Sequence, residues 1–297
     1  MEKKASDFFK CLLPSVIIFG IQIFVQFAGM FVVFCVSAHN YTEGSYLDFV
    51  KQIADLTMST DFIMGTLLVY TMIAVVLFGI WFYRLFLPKQ REKKGIAVLT
   101  EKPLAFCGGI VLLALGMQYL CVYCMNVLAI FFPQWMETYE LLMENMGLSD
   151  GTLTVPIVLS VVILAPICEE LAFRGVTMGY AKRNMSFWSA NIIQALLFAG
   201  MHMNPMQSVY TFFMGLVLGY FVNKSGSIVM GIILHMAFNT IGVLGNFLIV
   251  PGSNPIQLFF ILFGTMLATY FGFVLIDKNI PKKVNNDEVQ SDNHFTA

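Results

Sequence analysis

The chain has 297 residues, of which 58% are hydrophobic and only 12% are charged. A typical soluble domain has roughly 25% charged residues, so the composition excludes a water-soluble globule and indicates a chain solvated by lipid. The net charge of −1 argues against a nucleic-acid partner, because binding to phosphates requires an excess of Lys and Arg.

Eight apolar runs approach the length of about 20 residues that a bilayer core requires. They predict an all-α fold, a polytopic membrane helix bundle of about eight transmembrane helices embedded in the lipid bilayer. The runs are Leu12–Ala38, Phe62–Phe86, Leu104–Phe132, Leu153–Ala181, Phe187–Met203, Met206–Val222, Ser227–Val250 and Ile256–Ile276. The fifth and sixth runs are short and almost contiguous, so they either span the bilayer or form a re-entrant pair buried by their neighbours.

The basic residues alternate between the loops. They precede the first run and follow the second, fourth, sixth and eighth, whereas the intervening loops contain only Lys51 among several acids. By the positive-inside rule, both termini are expected to be cytoplasmic. Together with the short loops and the high content of Phe and Met, this pattern favours an integral protein of a bacterial plasma membrane.

The pattern divides the chain into four parts. Residues 1–150 hold the first three helices, and an apolar stripe from Trp135 to Met146 predicts an interfacial helix on the outer side. Residues 151–250 hold helices four to seven and the polar residues discussed next. Residues 251–281 form the last span, and residues 282–297 form a polar cytoplasmic tail.

A few polar residues lie inside the spans, where ionisable groups are costly and usually functional. The fourth run carries Glu169, Glu170 and Arg174, the fifth ends at His202, and the seventh carries His235 and Asn239. With a rise of about 1.5 Å per residue, helices of alternating direction place all these groups near mid-bilayer, which predicts a polar cavity there.

The spacing within the fourth run predicts different roles for its two acids. Arg174 lies four residues after Glu170, the favourable order for an ion pair, whereas Glu169 points about 100° away and can face a cavity. Pro166 lacks an N–H group and is expected to leave the carbonyl of Val162 without its helical donor, kinking the helix.

Three motifs occur in order on successive helices: Glu-Glu-x-x-x-Arg from Glu169, Phe-x-x-x-His from Phe198, and His-x-x-x-Asn from His235. They resemble those of the CPBP intramembrane proteases, which include the CAAX prenyl proteases and bacterial relatives tied to bacteriocin processing and immunity. The resemblance covers about Leu153–Val250. It implies an intramembrane endopeptidase in which Glu169 is the base, His202 holds the water, and His235 and Asn239 stabilise the oxyanion. Glu170, Arg174 and Phe198 then support the site, Phe198 by packing against it.

Two chemistries remain open for such an enzyme. A carboxylate in a low-dielectric cavity is a competent base for attack by water. Alternatively, Glu169, His202 and His235 form an acceptable first shell for a catalytic Zn²⁺ ion, although the sequence lacks the HExxH spacing typical of zinc proteases. The residues slightly favour hydrolysis without a metal cofactor.

The expected partner is a peptide or membrane-protein substrate, membrane-associated or of the prenylated type. Two other functional classes are compatible with the sequence. One is a non-proteolytic membrane partner, such as an immunity protein that retains the fold. The other is a transporter that uses Glu and His as a proton relay, although matching broken helices in two halves are missing from the pattern.

Overall fold

The computed structural model describes residues 2–41, 44–86, 102–149, 154–248 and 254–280. These ranges contain ten helices and no strand, as the composition predicts. The helices are α1 (Glu2–Asn40), α2 (Tyr46–Thr57), α3 (Thr60–Leu85), α4 (Pro103–Phe131), α5 (Pro133–Asn145), α6 (Val155–Ala181), α7 (Phe187–Gly200), α8 (Pro205–Ser225), α9 (Ile228–Leu248) and α10 (Pro255–Asn279). Residues 201–204 separate α7 from α8, whose first residue is Pro205.

Seven of these helices are long and apolar enough to cross a membrane: α1, α3, α4, α6, α8, α9 and α10. The fifth predicted run is different, because α7 has only 14 residues. A helix of that length extends about 21 Å, which is less than the roughly 30 Å of a bilayer core. The protein is therefore a polytopic helical bundle in which one short apolar helix is packed among longer ones.

Polar side chains attach α7 to α8. Asn191 donates from Nδ2 to the carbonyl of Leu216 at 3.0 Å, and Gln194 donates from Nε2 to the carbonyl of Gly215 at 2.9 Å. Gly219 lies on the same face of α8, where any Cβ would collide with the Asn191 side chain. Small residues thus let the two helices approach closely, and the carbonyls of α8 satisfy buried amides of the short helix.

The core lies where α3, α6, α7, α8 and α9 meet. Four phenylalanines are completely or almost completely buried there: Phe78, Phe173, Phe198 and Phe221. Outside the bundle, α5 forms where the apolar stripe predicts an interfacial helix, and it contains no fully buried residue.

Some sequence expectations lie outside the described residues. They are the polar tail at 282–297 and most of the basic loop at 87–101. The side of the membrane on which each loop lies also stays a prediction.

Candidate active site

The backbone of α6 changes its hydrogen-bonding register twice around the two glutamates. Residues 158–164 and 170–177 are π-helical, whereas Ala165–Glu169 between them is α-helical. At the first change, the N–H of Ala165 donates to the carbonyl of Ser160, five residues earlier. The next bond in this register would join residue 166 to the carbonyl of Val161, but Pro166 has no N–H. An α-helical register predicts this loss at Val162, whereas the π-helical register places it one residue earlier, at Val161.

Asn239 on α9 supplies the missing donor. Its Nδ2 lies 2.9 Å from the carbonyl oxygen of Val161. A buried carbonyl without a donor is costly, so this bond holds α9 against the wide segment of α6. The amide nitrogen carries a second N–H that the bond to Val161 does not use.

Glu170 forms the charged centre of the site. Its Oε1 accepts from Nη1 of Arg174 at 2.7 Å and from Nδ1 of His235 at 2.9 Å. All three residues are at most 2% exposed. A buried charge of this kind requires a partner, and removal of one partner leaves the other buried without compensation. Gly231 on α9 makes room for this carboxylate, since a Cβ there would collide with Glu170 Oε2.

Glu169 has a different environment from its neighbour. Its side chain is 22% exposed, and its Oε2 lies 3.5 Å from Nε2 of His235. His235 therefore lies between the two carboxylates, with Nδ1 towards Glu170 and Nε2 towards Glu169. Because the carboxylate of Glu170 accepts at Nδ1, that nitrogen carries a proton, and Nε2 is the atom available for chemistry.

The ring of Phe198 contacts three of the polar side chains. The guanidinium carbon of Arg174 lies 4.3 Å from the ring centroid, an arrangement typical of a cation–π contact. The rings of His202 and His235 lie edge-on to Phe198, at centroid distances of 5.0 and 5.7 Å. Phe198 thus fixes the positions of both imidazoles through packing.

His202 lies just beyond the end of α7, in the turn that leads to α8, rather than on the helix. Its Nδ1 donates to the carbonyl of Phe198 at 3.0 Å, so Nε2 is left as an acceptor. The turn contains Met203 with a positive φ of 52°, a conformation uncommon outside glycine. Asn204 then caps α8 by accepting from the N–H of Gln207. The turn and the cap together set the position of His202.

All four predicted catalytic residues line one cavity of about 690 Å³: Glu169, His202, His235 and Asn239. The cavity extends to α5, where it is lined by Tyr139 and Met143. Tyr210 of α8 lies in the same lining as Tyr139 of α5. The arrangement can hold a water molecule and a short peptide beside a carboxylate and two imidazoles.

The proposed zinc ligands do not fit a metal ion in this arrangement. Within the described ranges, no three His, Cys, Asp or Glu side chains are placed to hold one. The set of Glu169, His202 and His235 therefore does not converge as a coordination shell.

Several residues that position or line the site were not predicted from the sequence to do so. Gly231 could have been found, because it lies four residues before His235 and eight before Asn239, on one face of α9. Gln22, Gln26 and Gln118 could be interpreted only as polar groups joining helices, but they line the cavity. No local sequence pattern indicates a role for Val161. Its carbonyl lacks a backbone donor only because the helix is in the π-helical register there.

We expect the two acids to differ in their effect on stability. Glu170→Gln removes the charge that pairs with Arg174 and His235, and loss of such a partner costs about 3–5 kcal/mol. Glu169→Gln replaces a partly exposed group that faces the cavity, so it should leave the stability close to that of the wild type. Melting temperatures of the purified proteins in detergent check this, and equal melting of the two variants would contradict the assigned roles.

The comparisons with known proteins agree with the three motifs. Residues 151–241 match the family model described as "Type II CAAX prenyl endopeptidase Rce1-like". The chain is also 26% identical over 186 residues to an Escherichia coli protein described as "Uncharacterized 24.3 kDa protein", an alignment that covers 61% of this chain and 77% of that protein. No solved structure matches. The family match confirms the resemblance to the CPBP intramembrane proteases for residues 151–241, the segment that carries all three motifs.

Proposed function

We propose that the protein is an intramembrane endopeptidase that hydrolyses a peptide bond with a water molecule activated by Glu169. The observation that carries this proposal is the unequal environment of two adjacent carboxylates. Glu170 is buried and bound to Arg174 and His235, whereas Glu169 faces a cavity and has no cationic partner as close. One acid is therefore structural, and the other is free to exchange a proton with water.

In the proposed reaction, Glu169 takes a proton from the water as its oxygen attacks the carbonyl carbon of the substrate. Nε2 of His202 accepts a hydrogen bond from the same water and orients it. The carbon–nitrogen bond then breaks, and the departing amine takes the proton from Glu169. The reaction thus consumes one water molecule, Glu169 returns the proton that it took to the departing amine, and no further reactant is needed.

Stabilisation of the oxyanion is assigned to His235 and Asn239. Asn239 offers the second N–H of its amide. Because Nδ1 of His235 donates to Glu170, Nε2 can donate only when the ring is protonated. Preorganised donors of this kind are worth about 10²–10³ in turnover each.

We further propose that the protein resides in a bacterial plasma membrane with both termini cytoplasmic. The distribution of Lys and Arg over the loops supports this orientation. In it, α5 and the mouth of the cavity lie on the extracytoplasmic side. The similarity to a protein of Escherichia coli supports the bacterial membrane.

Glu169→Gln should abolish proteolysis while the protein remains folded, because only the base is lost. A general base contributes about 10²–10⁴ in rate. Comparative peptidomics of membranes from cells that produce the wild type or the variant checks this, through peptides that appear only with the wild type. Glu144→Gln is the matched control, since Glu144 is an exposed acid on α5 that does not line the cavity. Identical peptide sets from the wild type and Glu169→Gln would disprove the proposed function.

The orientation is tested by cysteine labelling of intact cells with a membrane-impermeant maleimide. Glu137→Cys on α5 should react, because this exposed position is expected to be extracytoplasmic. Lys278→Cys near the end of α10 is also exposed and should react only after the cells are opened. The wild-type protein gives the background from its own thiols. Labelling of position 278 from outside would overturn the orientation.

A further inference from the structure

Four basic residues lie at one end of the bundle, where three of the long helices end. Lys182 and Arg183 directly follow α6. Lys224 lies in the last turn of α8, and Lys278 lies in the last turn of α10. We call these four residues the basic rim. In the orientation that the loop charges predict, the basic rim lies on the cytoplasmic side of the membrane.

Direct contacts join the three helix ends into one surface. Lys182 donates from Nζ to Oδ1 of Asn223, so the end of α6 contacts the end of α8. Lys224, the next residue of α8, forms an ion pair with Asp277 of α10. Lys278 follows Asp277 directly along the chain. The basic rim is therefore a connected patch built from three helices.

The basic rim carries an excess of positive charge. Asp277 is the only Asp or Glu in the segments that form it, residues 182–189, 220–228 and 273–280, all of which the structure describes. It balances one of the four cations. An excess of this kind at the end of membrane helices attracts the phosphates of anionic lipid headgroups.

An aromatic cluster sets the depth of the basic rim in the membrane. Trp188, in the first turn of α7, is 60% exposed, and its ring stacks on that of Tyr220 at a centroid distance of 6.4 Å. The hydroxyl of Tyr220 donates to Oδ1 of Asp277 at 2.6 Å, and Lys224 contacts the same oxygen. Trp and Tyr are enriched at the boundary between acyl chains and headgroups. The cations beside this cluster therefore lie at the level of the headgroups.

We propose that the basic rim binds the headgroup phosphate of an anionic phospholipid. Lys182, Arg183 and Lys278 contact the phosphate, and the exposed indole of Trp188 packs against the glycerol and upper acyl chains of the same lipid. The connections that follow α6 and α8 are short, so the cations stay close to the helix ends and to the lipid. The site lies on the surface of the bundle and does not depend on the proposed proteolysis.

Native mass spectrometry of the full-length protein tests the proposal. Delipidated wild type in a neutral detergent is mixed with equimolar phosphatidylglycerol and phosphatidylcholine that have identical acyl chains. We expect the first bound lipid to be phosphatidylglycerol in at least tenfold excess. A large excess of soluble glycerol phosphate should not displace it, because glycerol phosphate has no acyl chains. Equal binding of the two lipids, or displacement by glycerol phosphate, would overturn the proposal.

Variants of the basic rim locate the bound lipid. The double variant Lys182→Gln with Lys278→Gln should reduce the preference at least tenfold, because each cation near an anionic headgroup contributes about fivefold. Lys182→Arg with Lys278→Arg is the matched control and should keep the preference, since both charges remain. Lys51→Gln removes an exposed cation at the other end of the bundle and should also keep it. An unchanged preference in the double Gln variant, or its loss in either control, would overturn the proposal.

Melting temperatures provide a second readout. A ligand that binds the folded state raises its stability, so phosphatidylglycerol should raise the melting temperature of the wild type and of the Arg variant but not that of the Gln variant. Equal stabilisation of the two variants would contradict the site. Neither readout measures cleavage, so an inactive protein that binds phosphatidylglycerol in this way would refute the protease and leave the lipid site intact.

Discussion

A buried carboxylate bound by a guanidinium and an imidazole determines the arrangement of the site. Glu170 cannot leave water unless its charge is compensated; Arg174 compensates it from the same helix, and His235 on α9 donates a hydrogen bond to it. Arg174 is in turn covered by the ring of Phe198, which also packs against both imidazoles. The positions of the polar side chains around the cavity thus depend on satisfying one charge in a low-dielectric interior.

The backbone of α6 provides the second constraint. In the π-helical register, Pro166 leaves the carbonyl of Val161 without a backbone donor. The amide of Asn239 on α9 donates to that carbonyl instead. Single π-helical turns are often found at functional sites, because they expose backbone groups that a regular helix would bury. Here the carbonyl of Val161 orients the amide of Asn239, whose other N–H is not used by this bond. One side chain therefore both joins α9 to α6 and keeps a donor for the cavity that it lines.

The fold and the site were predictable to different degrees. Hydrophobic runs such as Phe62–Phe86 were recognisable because a membrane requires long apolar helices, and the structure has this helix at Thr60–Leu85. The pairing of Glu170 with Arg174 follows from their spacing along one helix, and the structure shows it at 2.7 Å. The early end of α7 could not be predicted, since Met201 and Met203 continue its apolar pattern through the turn. The contact of His235 with Glu170 depends on how α9 packs against α6, and no local pattern encodes it.

The contribution of the N-terminal helices to the cavity could not be predicted from the sequence either. A glutamine in an apolar run, such as Gln118, can join two helices or face a cavity, and only the packing of α1, α4 and α9 distinguishes these cases. The segment that carries the motifs contributes Glu169, His202, His235 and Asn239 to the cavity, and the helices before it contribute Gln22, Gln26 and Gln118 to the same lining.

Chemical modification tests the division between the two acids most directly. A hydrophobic carbodiimide such as dicyclohexylcarbodiimide reacts with carboxyl groups that it can reach within a membrane protein. After treatment of the folded protein, fragmentation mass spectrometry distinguishes adducts on the two adjacent residues. The account predicts an adduct on Glu169, which faces the cavity, and none on Glu170, which is buried and held by Arg174 and His235. Modification of Glu170 to the same extent as Glu169 would contradict it.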